Sequence, residues 1–407
     1  MNKKLLNAGE EKIISYIREN RDELFCRLSD LVNIDTVNYR TYGNENNGQD
    51  YLEKICTELG LTVDRFAPET VPGVCGHRDY RPGRGADSRA NLVAFMDGET
   101  TKETIMLASH MDTEYLGDEE KWTDSPLSGA IKNGKLYGRG SADDKSGIAV
   151  SWYIMKAFKD CGILPPRNLM LAAYSDEEAG GVNGALALAL KYPSDFCINL
   201  DSGGFETEAP GGGCFKLKIK SLKNDKAVAS VFDVFRGVNL VVEKLEELSN
   251  RPKTHIRLSN VQAGMGGVKE GVVNLAIFTD MTKEVCQEEL DNICNELKGE
   301  FEKLDLATEG FKLTTRFFIY GETSADSKEA EILAEILKEE TGEYPDTNGK
   351  NLSDLSLIMA YGCKNSFNYG VPRGSKEGGG AHQPNEHAVL DELVRLAENV
   401  ALVIMRS

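Results

Sequence analysis

Three short apolar runs, residues 105–108, 169–174 and 196–200, each break off abruptly into a polar cluster. Each run is too short for a typical helix and apolar enough for a strand buried on both faces. The first leads into Ser109-His110-Met111-Asp112, the second into Ser175-Asp176-Glu177-Glu178, the third into Asp201-Ser202-Gly203. Between the first two, residues 148–159 carry a helical pattern closed by Gly162. Strand, helix and strand in this order point to an open α/β sheet, in which ligands sit outside the carboxyl ends of the strands. All three clusters are therefore expected on one rim.

One hydrophobic core stops growing at about 250–300 residues, so the 407 residues of this chain predict two domains. Residues 212–319 change character: strand at 215–222, helix at 239–249, strands at 254–261 and 272–279, helix at 283–304, strand at 311–320. This β-α-β-β-α-β order predicts a ferredoxin-like α+β domain. It reads as an insertion into a discontinuous domain formed by 1–211 and 320–407. Around it, residues 10–33 read as one or two amphipathic helices, 66–90 as a long irregular loop, and the segment from Leu390 to Ile404 as a final amphipathic helix.

The net charge of −18 opposes binding to a phosphate backbone, and no Lys/Arg cluster interrupts it. Nucleic acid is thus excluded as an expected partner. No run approaches the ~20 apolar residues of a membrane span, and the polar residues 1–12 do not resemble a signal peptide. The nine cysteines are scattered singly, with no C-x-x-C pair, as expected of free thiols in a reducing compartment. A cytoplasmic protein without a membrane partner is the expectation.

The chain has only five histidines, and two stand among carboxylates. His110 ends a strand with Asp112 two residues on, where a carboxylate can hold the second ring nitrogen of a metal-bound imidazole. A strand-end His can equally be a hydrogen-bonded structural residue. Asp143 lies in Gly138-Arg139-Gly140-Ser141-Ala142-Asp143-Asp144-Lys145, a tight loop that delivers two carboxylates to a helix start, where capping is the plainer role. Glu177 and Glu178 follow a buried strand, and burying two like charges is costly unless a cation or proton compensates. His382 follows a glycine run in Gly378-Gly379-Gly380-Ala381-His382-Gln383-Pro384-Asn385-Glu386. Two imidazoles with several carboxylates suit zinc, singly or as a co-catalytic pair. His77, His255 and His387 are assigned structural or surface roles.

The strings Leu107-Ala108-Ser109-His110-Met111-Asp112, Trp122 with Ser125-Pro126-Leu127, and Gly134-Lys135-Leu136-Tyr137 running into the Asp143 loop closely resemble metallopeptidase family M20. So do Asp176-Glu177-Glu178, Asp201, Ser353-Asp354 and the His382 segment, so the resemblance runs from about residue 25 to the end. That family includes carboxypeptidase G, acetylornithine deacetylase, succinyl-diaminopimelate desuccinylase, aminoacylase and several dipeptidases. The resemblance implies a zinc-peptidase-like catalytic domain, with a mostly parallel sheet flanked by helices, carrying the ferredoxin-like domain as a lid. It also implies two zinc ions per chain, with cobalt or manganese as alternatives. By resemblance Asp143 bridges the ions, His110 and Asp201 complete one site, and Glu178 and His382 complete the other. Asp112 would orient His110, Glu177 would be the general base, and the Asp143–Asp144 peptide would be cis. Arg373, after the Gly370 turn, would meet a substrate carboxylate, and a homodimer would form through the lid.

Three departures from the family pattern stand out. Aligning residues 220–226 and Asn239 on the dipeptidase lid motif puts Lys226 where a histidine that stabilises the reacting carbonyl is expected. The apolar-Pro step expected after Gly266-Gly267 is missing, and the usual Val-Pro after the H-x-D motif is here Thr113-Glu114. Lys226 or an arginine can supply the positive charge of the missing ring, and Asn239, aligned on the same motif, is a further candidate for substrate binding. The expected reaction is hydrolysis of an amide bond in a small peptide, since the resemblance associates Asp at position 201 with dipeptidases. An N-acyl amino acid deacylase is the second reading, favoured by the arginine-rich loop His77–Arg84. The third is a catalytically weakened, metal-dependent binding protein.

Overall fold

The computed structural model describes residues 6–178, 180–181, 183–223, 228–263, 269–374 and 378–407. The chain divides into two compact units. The first runs to Glu208 and takes in Glu322–Gly349 and Leu357–Ser407, while the second comprises Ala209–Gly321 with Lys350–Ser356.

The first unit is built on a seven-stranded sheet in the order Thr62–Phe66, Asn91–Met96, Arg167–Tyr174, Thr100–His110, Phe196–Asn199, Ser366–Tyr369 and Phe205–Glu206. The central four strands are parallel, and the flanking pairs are antiparallel, so the sheet is mixed. Successive side chains of a strand point to opposite faces. Here Ile105, Leu107, Leu169, Leu171, Phe196 and Ile198 pack into one core, while Met106, Ala108, Met170, Ala172 and Cys197 pack into another on the opposite side. Burial on both faces explains why these runs are apolar without alternation. On the first face lies the helix Lys145–Cys161, contributing Ile148, Trp152 and Tyr153, with the helices Ala8–Glu19, Arg21–Val32 and Leu390–Arg406. Gly162 ends the first of these at φ +64°, a left-handed cap.

Residues 10–33 fold as two helices rather than one, the break falling at Asn20. The segment 66–90 contains three short 3-10 turns, Pro68–Thr70, Val74–Gly76 and Ala86–Ser88.

The second unit is a four-stranded antiparallel sheet in the order His255–Ala263, Glu270–Thr279, Gly211–Ser221 and Leu306–Leu313. With the helix Val228–Ser249 after the first strand and Lys283–Glu296 after the third, this is the ferredoxin-like arrangement. Phe215, Leu217 and Ile219 face a core shared with Val234, Val238, Val241, Leu245, Leu290 and Ile293. The intervening Lys218 and Lys220 are exposed. Alternation of this kind belongs to a sheet with one wet face. The first helix begins at Val228, well before the expected 239, and the last strand ends at Leu313 rather than 320. Among the described residues, no helix is long and apolar enough to cross a membrane.

Candidate metal centre

The three polar clusters lie at the carboxyl ends of the adjacent parallel strands Arg167–Tyr174, Thr100–His110 and Phe196–Asn199. The loop before the helix Lys145–Cys161 joins them, held by Glu386. One Glu386 oxygen accepts the N–H groups of Gly140 at 3.0 Å and of Ala142 and Asp143 at 3.2 Å, while the other accepts from Arg139 Nη1 at 2.6 Å. Gly140 sits at φ +84°, and a Cβ there would lie 2.6 Å from Thr113 Cγ2, so glycine is required. The Asp143–Asp144 peptide is cis.

So held, Asp143 turns its two oxygens toward different imidazoles. His110 Nε2 is 3.0 Å from Asp143 Oδ1 and 3.7 Å from Asp201 Oδ1. His382 Nε2 is 3.3 Å from Asp143 Oδ2 and 2.8 Å from Glu178 Oε2. Ligand atoms of His110, Asp143 and Asp201 lie within 4.8 Å of one another, as do those of Glu114, Glu178 and His382. The five residues that the resemblance nominates as ligands are thus brought together. Glu114 joins them without having been nominated; its only trace in the sequence is the departure Thr113-Glu114.

Asp112 is placed differently from the expectation. His110 Nδ1 donates to the Asp112 backbone carbonyl at 2.8 Å, with the Asp112 carboxylate 3.7 Å away. A carbonyl only accepts, so Nδ1 carries a proton, and Nε2 is the ring atom that faces the cluster. The Asp112 carboxylate instead accepts the N–H groups of Glu177 at 3.1 Å and Glu178 at 2.9 Å, and the Asn38 amide at 2.8 Å. Behind it Asp176, at φ +69°, accepts from Asn38, Arg84 and Arg89. This buried network fixes the turn that carries Glu177 and Glu178.

The cluster is short of positive charge. Burial and the charge of Asp143 push the Glu178 carboxyl up to about 7, with the hydrogen bond to His382 acting the other way. Burial and Asp201 raise Asp144 well above the carboxylate range, and neither of its buried oxygens has a hydrogen-bond partner. Burial opposes charge on His382, yet its bonds to Asp143 and Glu178 raise it to about 11. Burial likewise opposes charge on His110, and the bond to Asp143 with the charge of Asp201 raises it well above the usual value. Burial also opposes ionisation of Asp143, and Arg373 with the two imidazoles holds it well below the carboxylate range.

Arg373 lies 2.9 Å from Asp143 Oδ1 and 2.5 Å from Asp201 Oδ1, so its guanidinium is engaged with cluster carboxylates and does not stand apart from them. Asn239 is exposed in the middle of the helix Val228–Ser249, its amide on Glu243 at 2.6 Å, one turn along. Lys226 lies outside the described residues. His77 packs edge-on against Tyr361, His255 lies on an edge strand beside Phe278, and His387 packs against Tyr137.

Residues 106–406 match the model of Peptidase family M20/M25/M40. The chain is 25% identical over 204 residues to N-formyl-4-amino-5-aminomethyl-2-methylpyrimidine deformylase of Halalkalibacterium halodurans, covering 50% of this chain and 44% of that one. It thus spans less than half the length of that relative. It is also 25% identical over 368 residues to succinyl-diaminopimelate desuccinylase of Xylella fastidiosa, covering 83% of this chain and 90% of the relative. In fold it is similar to the di-peptidase Dug1p of Saccharomyces cerevisiae, with a TM-score of 0.73 at 15% identity over 98% of both chains. With the matched segment taking in both histidine clusters and their carboxylates, the chain belongs to Peptidase family M20/M25/M40.

Proposed function

We propose that this protein is a two-metal amide hydrolase that cleaves small peptides. The observation that carries the reading is Asp143, whose two oxygens each face a different imidazole, each imidazole with a further carboxylate beside it. The donor set fits a pair of divalent ions: two imidazole nitrogens, a shared carboxylate, and a further carboxylate beside each imidazole. His110, Asp143 and Asp201 would hold one ion, and Asp143, Glu178 and His382 the other. Zinc is the metal we assign, with cobalt or manganese compatible with the same donors. Bound divalent ions supply Lewis acidity, lowering the pKa of water and polarising a carbonyl.

The chain's own groups do the rest. Glu177 is the base: it takes the proton of the attacking water and returns it to the leaving amine, a contribution typically worth ~10²–10⁴ in rate. Its backbone N–H is held by Asp112, which fixes where the carboxylate starts from. Arg373, on the Asp143 and Asp201 carboxylates, is positioned to exchange part of that pairing for a substrate carboxylate. Lys226 is our candidate for the carbonyl-oxygen donor, and Asn239 for a second lid contact.

A second reading is N-acyl amino acid deacylation, favoured by the similarity to the desuccinylase over most of both chains. Complete ligand sets together with Glu177 favour an enzyme over a binding protein that has lost turnover. We place the enzyme in the cytoplasm, with a second copy of the chain pairing through the exposed edge strand His255–Ala263 and the exposed Phe232 and Phe235 of the neighbouring helix. Nucleic acid and membrane have no part in this reading. Zinc-loaded protein assayed on dipeptides and on N-acyl amino acids tests it. The highest kcat/KM is expected on a dipeptide; a higher value on an acyl amino acid selects the second reading, and no hydrolysis of either overturns both.

A further inference from the structure

The two halves of the metal centre are unequal because of one residue. Resting on the two-metal reading, we infer that Glu114 is an additional protein ligand of the second ion. That position then has one imidazole and three carboxylates, His382 with Asp143, Glu178 and Glu114. The first position has one imidazole and two carboxylates.

Three observations place Glu114 there. First, its carboxylate shares a 4.8 Å cluster with Glu178 and His382. Second, its backbone N–H donates to Glu178 Oε1 at 2.9 Å, while Glu178 Oε2 faces His382 at 2.8 Å, so residue 114 is tied to a ligand through its main chain as well. Third, the side chain is aimed from a clamped segment. Thr113 donates its N–H to the Thr36 carbonyl at 3.1 Å and accepts at its own carbonyl from Asn38 N–H at 2.9 Å. The Tyr115 N–H then holds Glu114 Oε1 at 3.0 Å. Glu114 is half-buried, and the Glu178 carboxylate beside it is itself shielded from solvent, with a side chain 3% exposed. Adding one more carboxylate to such a place is unfavourable unless a cation occupies it. The Val-Pro step that the family resemblance leads one to expect here offers neither charge nor side-chain donor, so Glu114 adds one negative charge to this position.

The chemical consequence is selectivity. Carboxylate oxygens suit manganese and magnesium better than they suit softer ions, while imidazole suits zinc. The second position should therefore hold manganese more tightly than it would with an apolar residue at 114, and the two positions should fill in separable steps.

The test is calorimetric titration of metal-stripped protein with manganese(II), followed in parallel by the electron paramagnetic resonance signal of free manganese, for wild type, Glu114→Gln, Glu114→Val and His382→Ala. Urea midpoints confirm that each variant is folded. The expectation is two binding steps in the wild type, with Glu114→Gln and Glu114→Val weakening one of them by about 10-fold or more, on the scale of lost metal-site interactions. In the His382→Ala background, Glu114→Gln should leave the affinity of the remaining ion unchanged. Two steps in the wild type with both affinities intact in the Gln and Val variants overturn the role of Glu114 alone. Fewer than two ions in the wild type overturns the two-metal reading and this inference with it.

Discussion

The turn after the strand Thr100–His110 brings the Asp112 backbone carbonyl, not its carboxylate, to His110 Nδ1, and frees the carboxylate for the Glu177 and Glu178 N–H groups. Asp112→Asn should therefore keep the ion at His110 while lowering kcat, because an amide cannot accept both N–H groups as a carboxylate does. Metal content measured alongside kcat checks this, and loss of metal in proportion to activity would return Asp112 to the role of orienting His110. Glu177→Gln should keep both ions and lose ~10²–10⁴ of kcat, since the amide cannot take the water's proton. Near wild-type turnover in that variant assigns the base elsewhere. Glu114 escaped the sequence reading because a lone glutamate after an H-x-D motif has no periodicity or spacing of its own. Only the fold brings it to Glu178 and His382.

At the scale of elements, the strands that end in the site were legible because burial on both faces makes them continuously apolar. The helix Glu45–Glu58 was not, since its opening Glu45-Asn46-Asn47-Gly48 is poor in helix formers. Tertiary bonds stabilise it, with the Gln49 amide donating to the Ala90 and Ala173 carbonyls at 3.0 Å. The early start of the helix at Val228 has the same kind of cause. Its valines and Gly237 disfavour helix locally, and the stripe Val234, Val238, Val241, Leu245 packed on the sheet overrides them.

Glu386 belongs to the final motif, but its hold on the Asp143 loop required the structure. Glu386→Ala leaves Arg139 buried and uncompensated, and breaking a buried pair in this way costs about 3–5 kcal/mol. Urea unfolding checks it, and a cost under about 1 kcal/mol would show that the loop is held by other contacts. Glu45 gives a pH signature. Burial, then the charge of Asp112, raise its carboxyl to about 9 although Arg89 is 3.5 Å away, because Arg89 is shared with Asp176. Since the folded pKa lies above the carboxyl's ordinary 4.5, the contribution of the protonated form is fully present below about 4.5 and is lost as pH rises through about 9. Glu45→Gln should flatten stability across that window, read from urea midpoints, and an unchanged slope would show that Glu45 is ionised in the fold.

For the whole molecule, the β-α-β-β-α-β order made the second unit legible as a type. Its edges were not, because Lys350–Ser356 joins it from a distant part of the chain, which no local pattern announces. The same unit carries the association we propose. Leu258 and Val261 are exposed on its edge strand, and Phe232 and Phe235 are each 62% exposed on the adjacent helix. Unpaired strand edges and exposed apolar groups are templates for a second chain. Leu258→Asp with Phe235→Glu should convert a dimer into a monomer in sedimentation velocity while leaving bound metal unchanged, and a wild-type monomer at assay concentration contradicts the pairing. Whether the two His–carboxylate sets joined by Asp143 hold two divalent ions is decided by elemental analysis of purified, metal-loaded protein against Asp143→Ala. Two zinc or equivalent ions per wild-type chain are expected, with loss of both tight sites in the variant. Wild-type protein with no tightly bound divalent metal under any loading condition, or a variant that retains both ions, contradicts the two-metal reading.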